Sequence, residues 1–470
     1  MFSRIFNSQA KTITFAAGIL SVSSLISRLL GLFRDRLLAS SFGAGSDLDV
    51  YFAAFRIPDF IYNILIAGGV IVAFVPLFSE YFLKDKDEAW SFVNNVLNVF
   101  LFFLFFASLL ISIFAPFLVK IITPGFTEQQ ISLTVLLTRI LFLSPIFLGI
   151  SSIFSGVLQY FNRFLVYSLA PIFYNVGIIL GIVLLVPLFG ITGVVLGVIL
   201  GAFLHMIIQI PSAISAGFSY KMNFNFRDLK IKKVFSLMIP RTFGVAVPQI
   251  NLMVVTAIAS SLPAGALSIF TFSNNLQQFP LGLVGIPFAV AAFPALAQSW
   301  AAQRRDEFMG KFSETFKKII YIIVPVSILI FIFKNQIVDI ILKTGRFNED
   351  DAVLSAVSLG LFSLGIFASC LIPLVFRAFF ALLDTKTPTI IAIAAMFLNI
   401  GLSFGFVWLL GFPNVFHDSI VKIFSLEGMD NIAVIGLPLA FSIDSIFQFI
   451  LLVIFLFRKI NLKNAEVAEK

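Results

Sequence analysis

The chain is dominated by long apolar runs joined by short polar connections. Runs able to span a bilayer fall at roughly 12–40, 48–83, 91–122, 129–161, 165–188, 190–217, 233–262, 265–301, 314–342, 352–383, 388–410 and 432–457, twelve in all. A hydrocarbon layer offers backbone groups no water, so each run is predicted to close its hydrogen bonds internally as a helix. Only 12% of the 470 residues are charged, against about 25% in an ordinary soluble domain. The expected fold is therefore an all-α polytopic membrane protein. Pro58, Pro76, Pro145, Pro248, Pro280, Pro287 and Pro294 lie inside the runs. Kinks there are tolerated where neighbouring helices or a cavity satisfy the freed groups. The polar start of the chain, followed by a run far longer than a signal core, predicts no cleavable signal peptide.

Charge gives the orientation. With a cytoplasmic N-terminus, 20 of the Lys and Arg in the connections lie inside and 4 outside. That asymmetry predicts N-in, C-in in the cytoplasmic (inner) membrane, as an even number of helices requires. The net charge of +8 is thus read as topology, with no nucleic-acid partner expected. Cys370 is the only cysteine, and the two histidines, His205 in an apolar run and His417 in a connection, do not make a metal constellation. No cofactor is expected. Walker A, nucleophile-elbow and HExxH patterns are missing, so the chain is read as no enzyme and as drawing on an ion gradient, the membrane potential or the substrate's own gradient.

The sequence also repeats itself. "DVYFAAFRIPDFIYNILIAGGVIVAFVPLF" (49–78) and "LSIFTFSNNLQQFPLGLVGIPFAVAAFPAL" (267–296) align without a gap at an offset of 218, pairing Phe52 with Phe270 and Pro76 with Pro294. Two lobes of six helices related by a parallel repeat follow, 1–220 and 221–470. In transporters of that plan the substrate cavity lies between the halves. A duplicated scaffold without transport is the bland alternative.

A cation at bilayer depth costs at least about 2.5 kcal/mol on insertion scales and marks a substrate path unless it snorkels. Eight basic residues lie in or near runs: Arg28, Arg34, Arg36, Arg56, Arg139, Arg241, Lys334 and Arg377. Arg36, Arg139 and Lys334 read as snorkelling. Arg28 and Arg34 read as functional, because the first run carries a polar stripe. Arg28 and Asp35, seven residues apart, share a helix face, with Gly31 near it and Arg34 a third of a turn round. Ser21, Ser23, Ser24 and Ser27 extend the polarity. Arginine's planar fork binds phosphate oxygens bidentately, and Asp35 is placed to hold Arg28 or Arg34. Arg56 can pair with Asp49 or Asp59, or join the cavity. Arg241 can anchor a helix end, and Arg377 can pair with Asp384 at i+7. Asn251, Asn274, Asn275, Gln277 and Gln278 give the second half a neutral polar lining. A cationic half and a hydrogen-bonding half fit an anionic head attached to sugar.

The stretches "SRLLGLFRDRLLASSFGAGSDLDVYFAAFRIPDF", "AFVPLFSEY", "ITPGF", "FPLGLVGIPFAVAAFPAL", "TGRFNEDD" and "RAFFALLDTKTP", collinear over 24–390, resemble the MurJ (MviN) lipid II flippase family. The resemblance implies the multidrug/oligosaccharidyl-lipid/polysaccharide exporter fold, alternating access, and outward movement of the undecaprenyl-diphosphate-linked precursor of peptidoglycan (lipid II). It makes membrane lipids and cell-wall synthases the expected surroundings. It assigns Arg28 and Arg34 to two required arginines of helix 1 and Asp49 to an acidic residue at the start of helix 2. Tyr62 and Asn275 stand where many members have arginine, so Asn275 counts with Arg28, Arg34, Asp35, Asp49, Arg56 and Arg377 as a substrate-site candidate. Many members carry two further helices, and some use carboxylates of helices 7 and 11 for a cation; both those runs lack a carboxylate here. These departures leave open another polyprenyl-diphosphate-linked saccharide as substrate. A cation-drug exporter of the same fold would need carboxylates facing its cavity.

Overall fold

A computed structural model gives the fold of residues 13–65 and 71–468. Among the described residues every regular element is helical. The chain divides into two compact units. One holds the chain up to Leu38 and Ser46–Met253; the other holds Ala39–Gly45 and the chain from Val254.

The first unit contains most of α1 (Ile13–Phe42), then α2 (Ser46–Tyr62), α3 (Ile71–Lys84), α4 (Lys86–Ile122), α5 (Glu128–Leu141), α6 (Leu143–Tyr160), α7 (Phe164–Leu180), α8 (Val186–Phe189), α9 (Ile191–Ile207), α10 (Ile210–Ser215) and the start of α11 (Leu229–Ser260). Its apolar core is aromatic. Phe78 of α3 meets the rings of Phe74, Phe82, Trp90, Tyr160 and Phe161 at 5.0–6.2 Å between centroids, joining α3, α4 and α6. Helices α7 and α9 instead meet through glycine. A Cβ on Gly177 would lie 2.3 Å from Gly201 Cα, and one on Gly181 2.3 Å from Gly197 Cα. Without a hydrophobic drive between helices in lipid, such backbone approach is what packing relies on.

The connection before α11 is ordered by side chains. Asn94 Nδ2 donates to the Ser219 carbonyl and Asn94 Oδ1 accepts from Lys221 N–H. Asn95 brackets Asn225 in the same two-way manner, and Asn98 Nδ2 donates to the carbonyls of Lys221 and Asn223. Three amides on one face of α4 thus satisfy a segment that lacks a regular partner. Arg163, between α6 and α7, is buried and donates to Ser212 and Ser215 at the end of α10.

The second unit contains the end of α11, then α12 (Ala266–Pro280), α13 (Ile286–Ala301), α14 (Arg305–Ile332), α15 (Lys334–Ile341), α16 (Glu349–Ala381), α17 (Lys386–Leu410), α18 (Val415–Phe424) and α19 (Gly436–Ala468). α16 is its central element and packs on α12, α13, α14 and α19. The segment Ala39–Gly45 is held here. Ser40 O accepts from Arg346 N–H at 2.9 Å, and Ala44 N–H donates to Asp351 Oδ2 at 3.1 Å. Gly43 turns with φ +69°, and a Cβ there would lie 2.6 Å from Arg346 O.

Among the described residues, nine stretches are long and apolar enough to cross a membrane: Lys86–Ile122, Glu128–Tyr160, Phe164–Phe189, Ile191–Ser215, Ala266–Ala301, Arg305–Ile332, Glu349–Ala381, Lys386–Leu410 and Ile432–Asn461. The other three expected runs fall on α1, on α2 with α3, and on α11. α1 concentrates Arg28, Arg34, Asp35 and Arg36, and the start of α11 is lysine-rich. The repeat has a structural counterpart. α2 passes at Asn63–Leu65 into a wider π-helical turn, and α12 does so at Leu281–Gly285. The offset of 218 pairs Asn63 with Leu281, the first residue of each interruption.

The glycine contact gives a direct test. Gly197→Leu should abolish accumulation of folded protein in the membrane or lower its melting temperature in detergent sharply, since overpacking a closed contact costs about 1–3 kcal/mol or more. Gly401→Ala, where a Cβ meets nothing within 4 Å, should leave melting unchanged.

Candidate functional site

A cavity of about 580 Å³ lies within the first unit. α1 supplies Ser23, Ser24, Ser27 and Arg28 to its wall. α2 supplies Tyr62, α6 supplies Ser152 and Ser155, α7 supplies Tyr167 and Ser168, and α9 supplies His205. The serines of α1 reach it because Ser23, Ser27 and Arg28 recur at helical spacing on one face. Ser168 Oγ donates to Ser23 Oγ at 3.0 Å, tying α7 to that face.

Arg28 has no ion-pair partner among the described residues, and its Nε is sealed from solvent without a hydrogen bond. The wall around it is hydroxyl-rich and contains no carboxylate. The result is a cation beside groups that can donate to or accept from a ligand but cannot cancel its charge.

Arg34 is arranged differently. Its Nε and Nη2 donate to Asp35 Oδ1 at 3.0 and 2.8 Å, and its Nη1 donates to Asn175 Oδ1 at 3.4 Å. Asn175 Nδ2 in turn donates to the Ser27 carbonyl at 3.2 Å and the Ser27 hydroxyl at 3.3 Å. Asp35 therefore holds Arg34, not Arg28, although Arg28 shares its helix face. Neither Arg34 nor Asp35 is among the residues lining the cavity. Asp49 is buried at 3% exposure. Arg56 is close enough to Asp59 for their charges to interact, and neither is among the residues lining the cavity.

The two candidates of the second unit stand separately. Asn275 is half-buried on α12. Arg377 was placed by spacing opposite Asp384, but its guanidinium lies 5.3 Å from the Phe293 ring centroid. Asp384 pairs instead with Lys459 and accepts from the Thr387 hydroxyl at 2.7 Å. Asp384 lies beyond the end of α16, where the helical phase that would bring i and i+7 together no longer applies. The side chain of Arg241 lies outside the described residues. Of the three read as snorkelling, Arg139 Nε donates to the Ser112 carbonyl at 3.1 Å and Lys334 lies over Phe331 at 5.1 Å.

Sequence reading missed Asn175, Ser152, Ser155 and His205. Polar residues in an apolar run are the only signal for them, and that signal does not say which face they share. It also passed over Asp444 of α19, buried at 8% exposure with Oδ1 unpartnered.

Comparison with known proteins bears on all of this. A family profile described as "Lipid II flippase MurJ" matches residues 38–469. The match begins after Arg28 and Arg34, so Arg28 rests on the cavity it lines and on the helix 1 resemblance, and Arg34 on that resemblance alone. A relative from Haemophilus influenzae named "Probable lipid II flippase MurJ" is 31% identical over 396 residues, which cover 80% of this chain and 78% of that protein. One of the same name from Vibrio cholerae is 30% identical over 406 residues, covering 84% and 77%. A solved structure of a lipid II flippase MurJ in an inward closed conformation superposes with TM-score 0.75 at 25% identity, covering 94% of this chain and 90% of that one. An inward-facing multidrug transporter of the MATE family superposes with TM-score 0.74 at 14% identity, covering 95% and 98%, a likeness of fold alone.

Two consequences are measurable. Asp35→Leu should destabilise the protein by about 3 kcal/mol, because it leaves the Arg34 charge uncompensated; melting in detergent reads this, and Arg34→Met added to Asp35→Leu should restore part of the loss. Burial disfavours the charged form of Asp384, but Lys459 and Thr387 outweigh it and hold its carboxyl below the usual carboxylate range. Its stabilisation is complete above the ordinary aspartate value of about 4 and is lost as pH falls through the lowered folded value. The melting difference between the unsubstituted protein and Asp384→Asn should hold steady above about pH 5 and vanish in stronger acid.

Proposed function

The chain belongs to the MurJ family of lipid II flippases, and we propose that it carries lipid II, the undecaprenyl-diphosphate-linked precursor of peptidoglycan, from the inner to the outer leaflet. It is a multi-pass protein of the bacterial inner membrane. The observation that carries the reading is Arg28, an uncompensated cation in a cavity walled by hydroxyls.

A diphosphate supplies what that wall lacks. Its oxygens accept from the guanidinium fork, and the charge of Arg28 gains a counter-ion on binding. Ser24 and Ser27 are placed to hydrogen-bond the head or the first sugar, while Ser152 and Ser155, whose protons go to the Leu148 carbonyl and Gln209 Oε1, can only accept. A cavity of about 580 Å³ is within the range of small-ligand sites, about 300–1,000 Å³, so it takes the head and not the polyprenyl tail. The step is translocation, with no bond made or broken. In this reading twelve spans form two lobes of six, N-in and C-in, which expose the site to each side in turn. Arg34, held by Asp35 and Asn175, keeps α1 in register so that Arg28 faces the cavity. Enzymes that make and polymerise lipid II are the expected neighbours.

Complementation tests this. The chain is expressed in a bacterium whose own lipid II flippase can be switched off, and lysis is scored together with externally accessible lipid II. The unsubstituted chain should rescue growth and restore exposure. Arg28→Ala should fail while accumulating normally, and Arg28→Lys should rescue only in part. Full rescue by Arg28→Ala would remove the basis of the reading.

A further inference from the structure

His205 enters the cavity wall from α9, yet nothing in the proposed role of Arg28 uses it. Its ring is held at one edge by a buried network. Gln209 Nε2 donates to Ser151 Oγ at 2.5 Å and to the His205 carbonyl at 3.1 Å. Gln209 Oε1 accepts from Ser155 Oγ at 2.9 Å, which fixes the orientation of that amide. Ser151 Oγ, in a fully buried residue, stands 2.6 Å from His205 Nδ1 and 3.0 Å from the His205 carbonyl.

Two proton arrangements satisfy this network. With the Ser151 proton on the His205 carbonyl, Nδ1–H donates to Ser151 Oγ; with it on the nearer Nδ1, the ring nitrogen accepts. An imidazole that accepts at Nδ1 carries its proton at Nε2. Nε2 has no partner among the described residues and is not among the buried polar atoms left without one, so it opens onto the space that His205 lines. An anion in the cavity selects the second arrangement, which presents an N–H donor beside the uncompensated Arg28.

We infer that His205 is a substrate ligand: its Nε2–H, in the tautomer whose Nδ1 accepts from Ser151, donates a hydrogen bond to a diphosphate oxygen of the polyprenyl-linked head in the Arg28 cavity. This rests on the reading of the chain as a lipid II carrier and adds a residue to its site. The chemistry is that of two donors on one dianionic group, the guanidinium from α1 and the imidazole from α9. Ser151 and Gln209 act as positioning residues, since they touch His205 rather than the ligand.

Two substitutions separate this role from packing. Asn at 205 places its amide oxygen near the position of Nδ1, so it keeps the acceptor for Ser151 and loses the donor in the cavity. Gln at 205 places its amide nitrogen near the position of Nε2, so it keeps the donor and loses the acceptor. The full chain is reconstituted in lipid nanodiscs and titrated with undecaprenyl diphosphate and with lipid II, and melting is recorded for each variant. The inference expects H205N to bind both ligands about tenfold more weakly or worse, the effect of losing one hydrogen bond to a charged group. It expects H205Q to stay within about threefold of the unsubstituted protein. The reverse order, equal loss in both variants, or no loss in either would overturn it, because each means that the donor at Nε2 is not what the ligand uses. If the unsubstituted protein binds neither probe, the lipid II reading itself falls and the inference falls with it. If it binds, the two variants decide the inference alone.

Discussion

The structure turns on one unbalanced charge. Moving a guanidinium out of water carries a penalty of several kcal/mol unless a counter-ion and hydrogen bonds replace its hydration. Arg34 has both, from Asp35 and Asn175. Arg28, six residues earlier on the same helix, has neither among the described residues. Two arginines in one helix thus occupy opposite electrostatic states. The difference is made by Asn175, whose amide accepts from Arg34 and donates to the backbone and hydroxyl at Ser27. That bridge ties α1 to α7 at Ser27 and Arg34, and of the two arginines only Arg28 lines the cavity.

The remainder of the first unit supports this division. The glycine contacts between α7 and α9 bring together the helix that carries Asn175 and Ser168 and the helix that carries His205. Larger residues there would hold the two apart and open the cavity wall. The aromatic cluster on α3, α4 and α6 makes the opposite kind of contact, broad and apolar, and anchors the helix that bears Ser152 and Ser155. A polar wall in an apolar bundle needs such backing, because its hydroxyls add little packing of their own.

Much of this could be read from residues, and what could not has a physical reason. Hydropathy identifies a helical membrane protein because lipid forbids most alternatives. It singles out Arg28 because a cation inside an apolar run demands an explanation. It could not distinguish Arg28 from Arg34. Spacing placed Asp35 on the face of Arg28, yet the Arg34 side chain reaches it from the adjacent position, and the deciding partner lies 141 residues away. His205 was read only for metal binding, which needs several ligands. Its actual partners, Ser151 and Gln209, are ordinary polar residues that sequence gives no reason to connect with it. Arg377 shows the limit of periodicity, since Asp384 has left the helix on which the seven-residue spacing was counted and turned to Lys459.

The paired π-helical turns carry a consequence of another kind. A π turn holds one residue more than an α turn and is frequent at functional sites. The two halves align without a gap through this point, from Phe52 with Phe270 before it to Pro76 with Pro294 after it. An insertion made in one half alone would have shifted every later pair by one. The widened turn therefore falls at the same place in both stretches of the sequence repeat.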